Sequence, residues 1–137
     1  PSDRGSHIQE CLDAYHGEGI QHIALETHDI YATVEGLRQR HVRFLDTPDT
    51  YYDRIDARVP NHGEDLARLK ANRILIDGEG VDKEHHEDKL LQIFTETVIG
   101  PIFFEIIQRK GNEGFGEGNF KALFESIERD QMRRGVL

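Results

Sequence analysis

PIFFEIIQR, residues 101–109, combines aromatic and β-branched side chains and predicts the strand on which the fold is built. A single carboxylate, Glu105, stands in the middle of this apolar run. In a strand with apolar residues on both faces, Glu105 is expected to point into protein, where an unpaired carboxylate is costly. It must then be protonated, salt-bridged or bound to a metal. The open alternatives are an edge strand that leaves Glu105 solvated, or a structural ion pair.

GIQHIAL, residues 19–25, predicts a second strand in which His22 shares one face with Ile20 and Ala24. A lone histidine in a strand is more often a hydrogen-bonded core residue than a metal ligand. If His22 and Glu105 lie on the concave face of one curved sheet, they offer a nitrogen and an oxygen to a cation. Such a pair suits iron(II), manganese or zinc, although two ligands alone hold a metal weakly.

The remaining pattern predicts one α+β domain over residues 1–137, with residues 1–18 as a polar lead-in segment. Thr27 or Asp29 can cap the first helix, and Asn119 can cap a closing amphipathic helix with an aromatic face. The charged stretch 78–89 is interpreted as a turn, and the glycine-rich stretch 110–119 as a flexible connection. Helices are predicted at 30–37, 48–59, around 66–69 and at 120–133; further strands are predicted at 42–45, 73–77 and 90–95.

The composition argues against polyanionic partners. The 137 residues include 17 Lys and Arg against 26 Asp and Glu, a formal net charge of −9, without a basic block. Nucleic acid and anionic membrane surfaces are therefore not expected as partners. The sequence has no apolar run long enough for a membrane span, no signal-peptide pattern and one cysteine, Cys11, so a cytoplasmic location is expected.

Five motifs stand out along the sequence: GIQHIAL (19–25), TPDTYYDRI (47–55), LLQIFT (90–95), GPIFFEIIQRKG (100–111) and GFGEGNFKALFESIE (114–128). Through these motifs the chain closely resembles the C-terminal portion of the 4-hydroxyphenylpyruvate dioxygenase family, in the vicinal oxygen chelate superfamily. The resemblance implies a βαβββ module with a C-terminal amphipathic helix that closes the pocket. It also implies a non-haem iron(II) dioxygenase that converts 4-hydroxyphenylpyruvate and O₂ to homogentisate and CO₂ in tyrosine catabolism. A hydroxymandelate synthase-like enzyme and a noncatalytic fragment are the alternatives.

The resemblance also assigns roles to individual residues. His22 and Glu105 match two of the three metal ligands, whereas the third, a histidine in an Asp-His motif, has no counterpart in this chain. The implied substrate is an aryl 2-keto acid, and family members assemble as homo-oligomers. The residues that match substrate-contacting or pocket-lining positions are Gln21, Gln92, Phe94, Phe103, Asn119, Phe120, Leu123 and Phe124.

Overall fold

Four strands form one mixed sheet in the computed structural model, which describes residues 12–135. They are β1 (His22–Glu26), β2 (Leu75–Val81), β3 (Glu87–Phe94) and β4 (Phe103–Lys110). In space the order is β1-β4-β3-β2; β1 and β4 are parallel, and the other neighbours are antiparallel. One strand, a helical stretch and three strands follow each other along the chain, which confirms the βαβββ fold expected from the resemblance.

Five helices follow β1 along the chain: α1 (Ile30–Gln39), α2 (Asp49–Tyr52), α3 (Ile55–Arg58), α4 (Leu66–Asn72) and α5 (Glu117–Arg133). The carboxylate of Asp29 accepts a hydrogen bond from the backbone N–H of Ala32 at 3.1 Å, so Asp29 is the predicted cap of α1. Within the described part of the chain, no helix is long and apolar enough to cross a membrane.

The core lies between the helices and the sheet. Because strand side chains alternate, β3 turns Leu91 and Ile93 into this core and presents Gln92 on the opposite face. The same alternation in β4 buries Ile106 in the core and puts Glu105 beside Gln92. The core residues include Ile30, Val34, Leu69, Ile74, Ile76, Leu91, Ile93 and Ile106.

Two predicted elements differ from the structure. The segment 42–45 is not a strand, because only Phe44 makes an isolated bridge to Thr95, beyond the end of β3. The helix predicted over 48–59 is divided into α2 and α3, because Arg54 leaves the helical region with a φ of −116° and a ψ of 5°. Residues 12–15 of the proposed lead-in segment are helical, and residues 1–11 lie outside the described part.

The stretch 78–89 is mostly strand rather than turn, since β2 continues to Val81 and β3 begins at Glu87. Lys89 is buried, with its Nζ 3.1 Å from Oε1 of Glu64. Lys110 and Tyr31 also donate hydrogen bonds to this carboxylate, at 2.6 and 2.8 Å. Burial alone would raise the pKa of Glu64, but the hydrogen bonds from Lys110, Tyr31 and Lys89 outweigh it and lower the pKa.

Replacement of Glu64 by glutamine is expected to destabilise the protein by about 3 kcal/mol at neutral pH, because Lys89 loses its nearest carboxylate. Since the pKa of Glu64 is lowered on folding, its contribution is present above the ordinary value of 4.5 and is lost as pH falls through the folded value. Urea denaturation at pH 7 and at about pH 3 measures this difference. Glu87→Gln, at a half-exposed carboxylate 3.7 Å from Lys89, is the control. If Glu64→Gln lost the same amount of folding stability at both pH values, the proposed contribution of the ionised Glu64 carboxylate would be contradicted.

The closing helix α5 differs from its predicted form. It begins at Glu117 rather than 120, and its N-cap residue is Gly116 rather than Asn119, which is buried inside the helix. Its inward positions are Asn119, Ala122 and Ser126, whereas Phe120, Phe124 and Ile127 are exposed. The small inward side chains allow close approach to α2, where the hydroxyl of Thr50 donates to the carbonyl oxygen of Ser126 at 2.6 Å.

Candidate metal centre

The sheet brings His22 and Glu105 together. Strands β1 and β4 are neighbours, with His22 in register with Phe103 and Ala24 with Glu105. Nε2 of His22 lies 3.3 Å from Oε2 of Glu105. The carboxylate is only 3% exposed, while the imidazole is 34% exposed and accessible from solvent. The pair therefore forms a polar site that is closed on the carboxylate side and open on the histidine side.

The second nitrogen of His22 orients the ring. Oε1 of Gln21 lies 3.1 Å from Nδ1 and can accept its proton; in that tautomer Nε2 presents its lone pair to Glu105. Nε2 and Oε2 are then both acceptors, and a cation between them satisfies both. Nitrogen and oxygen ligands lie about 2.1 Å from a divalent metal, which puts neighbouring ligands about 3 Å apart. The 3.3 Å separation of His22 and Glu105 fits this arrangement.

Two aromatic rings hold the imidazole in place. The ring of Phe103 stacks on His22 at 5.1 Å between centroids and 11° between planes. Phe94 meets His22 edge-on at 6.5 Å and Phe103 at 5.9 Å. Both phenylalanines were expected to line a pocket; in the structure both rings contact His22, and Phe94 also lines a cavity together with Leu123.

Gln92 fixes the carboxylate. Its Nε2 donates to Oε1 of Glu105 at 2.8 Å and to the carbonyl oxygen of Phe115 at 3.2 Å. Its Oε1 accepts from Nδ2 of Asn119 at 2.7 Å. Gln92 and Asn119 are 1% and 2% exposed, so both N–H groups of the Gln92 amide are used inside the protein. Oε2 of Glu105 is left to face His22.

The glycine-rich stretch before α5 is closely packed rather than a flexible connection. A Cβ at Gly116, whose φ is +77°, would overlap Oε1 of Gln92. A Cβ at Gly118 would overlap the carboxylate of Asp77, which accepts a hydrogen bond from the Gly118 N–H at 2.8 Å. The alternating pattern GFGEGN was the signal for this contact, because glycines allow a backbone to approach side chains closely.

Not all predicted residues meet at this site. Leu123 packs partly against the core, but Phe120 and Phe124 are 68% and 65% exposed. No group of three or more His, Cys, Asp or Glu side chains that could hold a metal is present among residues 12–135. His22 and Glu105 therefore fit two positions of a metal site, and the described residues do not complete it.

Comparison with known proteins relates this arrangement to longer chains. Residues 1–56 match the family model of the Glyoxalase/Bleomycin resistance protein/Dioxygenase superfamily. A 4-hydroxyphenylpyruvate dioxygenase from Pseudomonas aeruginosa is 65% identical over 136 residues, 99% of this chain and 37% of the relative. Hemolysin VllY from Vibrio vulnificus is 66% identical with the same coverage. The chain thus spans little more than a third of the length of these relatives.

A solved structure has the same fold. A mutant of 4-hydroxymandelate synthase from Streptomyces coelicolor superposes with a TM-score of 0.70 and 37% sequence identity. The superposition covers 96% of this chain and 35% of the synthase. The fold of this chain is therefore shared with part of a structure that is almost three times as long.

Proposed function

Starting from the match of this chain to the C-terminal portion of 4-hydroxyphenylpyruvate dioxygenases, we propose that it supplies two iron(II) ligands of such an enzyme. His22 and Glu105 are these ligands. The observation that carries the proposal is the convergence of Nε2 and Oε2 at 3.3 Å, with each residue oriented by further contacts. The complete enzyme converts 4-hydroxyphenylpyruvate and O₂ to homogentisate and CO₂, as part of tyrosine catabolism.

The site needs one more ligand from outside the described residues. Two histidines and one carboxylate on one side of the metal leave its other positions open, an arrangement typical of non-haem iron(II) oxygenases. When bound, iron(II) supplies the positions at which a 2-keto acid and O₂ meet. Glu105 brings a negative charge that offsets the charge of the metal, and His22 brings a neutral nitrogen.

The other residues of the chain orient these ligands and exclude water. Phe94 and Phe103 surround the imidazole, so its nitrogen points in one direction before the metal binds. Gln21 can accept the Nδ1 proton of His22, which suits the tautomer that binds a metal through Nε2. In the complete enzyme, Gln21, Gln92 and Asn119 lie near the polar groups of the substrate, and the closing helix with Phe120, Leu123 and Phe124 covers its ring.

A hydroxymandelate synthase-like reaction on the same substrate is the second candidate, and the similarity to a solved 4-hydroxymandelate synthase favours it. The two reactions share the proposed metal site and differ in the carbon that is oxidised. Homogentisate and hydroxymandelate are different compounds, so product analysis of the complete enzyme decides between them.

The proposed enzyme has simple partners. Residues 1–137 form one domain, the C-terminal catalytic part of a longer chain, and the partners are an aryl 2-keto acid, O₂ and further copies of the same protein. The exposed apolar side chains of β1, Ile23 and Leu25, lie at the edge of the sheet, which suits burial by another part of the assembly. We also propose that the protein is located in the cytoplasm.

Anaerobic titration with iron(II) and 4-hydroxyphenylpyruvate tests the proposed site in the complete protein that carries this chain. We expect a visible charge-transfer band that needs both metal and keto acid and that is lost in His22→Ala. His28→Ala is the matched control, because His28 is exposed just beyond β1. Absence of the band in the unchanged protein would contradict the proposed function, and its persistence in His22→Ala would remove that residue from the ligand set.

A further inference from the structure

A series of hydrogen bonds leads from Glu105 through Gln92, Asn119 and Tyr51 to a cation, and the first three bonds are buried. The cation is Arg58, at the end of α3. Its Nη2 donates to Oη of Tyr51 at 2.8 Å and to the carbonyl oxygen of Ile76 at 2.7 Å, while Nη1 lies 3.3 Å from a carboxylate oxygen of Asp77. Neither Arg58 nor Tyr51 was singled out by the sequence analysis as part of the site.

The hydroxyl of Tyr51 accepts two hydrogen bonds and donates one. Its oxygen accepts from Arg58 and, at 2.9 Å, from the backbone N–H of Ile76. Burial raises the pKa of Tyr51 to about 12 although Arg58 is adjacent, so the hydroxyl keeps its proton at neutral pH. That proton is directed to Oδ1 of Asn119, 2.5 Å away, or to the carbonyl oxygen of Ile76 at 3.0 Å. The shorter contact favours Asn119.

Each group in the series donates its hydrogen bond toward Glu105. Because Oδ1 of Asn119 accepts, its Nδ2 is the atom that donates to Oε1 of Gln92. Because Oε1 of Gln92 accepts, its Nε2 faces Glu105. The carbonyl oxygen of Phe115 requires the same orientation, since it can only accept. Each amide in the series is thus held in one of its two possible orientations.

We propose that Tyr51 and Arg58 are positioning residues for the metal-site carboxylate, acting on Glu105 through Asn119 and Gln92. Arg58 can only donate and the carboxylate of Glu105 accepts, so the two ends of the series fix its direction. Oε1 of Glu105 is held by this series, which leaves Oε2 to face His22. This inference rests on the proposed function, because it concerns the same candidate metal site.

The series also joins parts of the fold that are far apart in sequence. Tyr51 belongs to α2, Asn119 to α5, Gln92 to β3 and Glu105 to β4. The closing helix is therefore connected to the candidate ligand by a direct hydrogen bond between Asn119 and Gln92. Hydrogen-bonded groups behind a metal ligand commonly change metal affinity 10- to 100-fold when they are removed.

Tyr51→Phe tests the proposal in the complete protein, with Tyr52→Phe as the matched control. The two tyrosines are neighbours, 2% and 3% exposed, but the hydroxyl of Tyr52 donates to the carbonyl oxygen of Ile74 and, within residues 12–135, makes no hydrogen bond to the series. Its ring meets that of Tyr51 edge-on, a contact that phenylalanine keeps. Both variants lose one buried hydroxyl, and thermal unfolding measures the resulting loss of stability. We expect Tyr51→Phe to raise the iron(II) Kd about tenfold and Tyr52→Phe to leave it unchanged.

A second variant and a second readout make the result decisive. Arg58→Met is expected to weaken iron(II) binding in the same direction as Tyr51→Phe. In the metal-free protein, the side-chain amide signals of Gln92 and Asn119 in a nitrogen–proton NMR spectrum are expected to move in Tyr51→Phe but not in Tyr52→Phe.

The outcomes separate this inference from the proposed function. An unchanged Kd in both Tyr51→Phe and Arg58→Met would overturn the positioning role while the proposed function stands. If the unchanged protein binds no iron(II), the proposed function fails, and the amide signals alone decide the inference: unmoved signals of Gln92 and Asn119 in Tyr51→Phe overturn it. Equal weakening of metal binding in Tyr51→Phe and Tyr52→Phe would also overturn it, because the effect would then follow stability alone.

Discussion

Glu105→Ala is expected to abolish iron(II)-dependent turnover in the complete enzyme, with a loss of at least about a hundredfold. The carboxylate is the charged member of the proposed ligand pair, and its removal also leaves Gln92 without the acceptor at 2.8 Å. Turnover is measured as product formed per mole of protein with iron(II) in excess. Near-normal product formation by Glu105→Ala would remove this residue from the proposed ligand set.

Two further variants distinguish loss of the ligand from loss of the fold. Glu105→Gln keeps the size of the side chain and an oxygen that can accept from Gln92, but it lacks the charge that a metal requires. We expect Glu105→Gln to unfold close to the temperature of the unchanged protein and to be as inactive as Glu105→Ala. Glu79→Ala, at an exposed carboxylate in β2, is the control and is expected to retain activity.

Gly116→Ala is expected to cost about 2–4 kcal/mol of folding stability and to weaken iron(II) binding in the complete protein. Two causes add: the residue has a φ of +77°, which an L side chain rarely adopts, and the new Cβ would overlap Oε1 of Gln92. The overlap pushes the Gln92 amide away from Asn119 and Glu105. Urea denaturation measures the stability, and iron(II) titration measures the effect on the site.

Gly36→Ala is the control for Gly116→Ala. Gly36 lies inside α1, and a Cβ there meets nothing within 4 Å. Because alanine is favoured over glycine in helices, this change is expected to stabilise the protein by about 0.5–1 kcal/mol. A Gly116→Ala protein as stable as the unchanged one would show that the loop moves away from Gln92 without cost.

Local patterns marked His22 and Glu105 as candidates, and the structure brings these two side chains together. Glu105 attracted attention because a carboxylate in an apolar strand needs a partner, and the parallel pairing of β1 with β4 supplies His22 as that partner. The resemblance to a known family added Gln92 and Asn119. The βαβββ order was likewise expected from the sequence and is present in the structure.

Contacts between distant residues account for what the sequence did not predict. Lys89 was interpreted as part of a solvated turn because its carboxylate partner, Glu64, is 25 residues away. Asn119 was interpreted as a helix cap, whereas its amide binds Gln92 and Tyr51 from inside the helix. Tyr51 was predicted only to lie in the helix expected over 48–59, since a hydroxyl gives no periodic signal in a sequence.

The two candidate ligands lie on strands that are held unequally. His22 belongs to β1, which pairs with β4 alone at the edge of the sheet, whereas Glu105 belongs to β4, which has a neighbour on both sides. An ion bound by both residues would act as a cross-link between an outer and an inner strand. Metal loading and the docking of β1 are then one linked equilibrium, so an ion bound by both residues would stabilise the edge strand on the sheet.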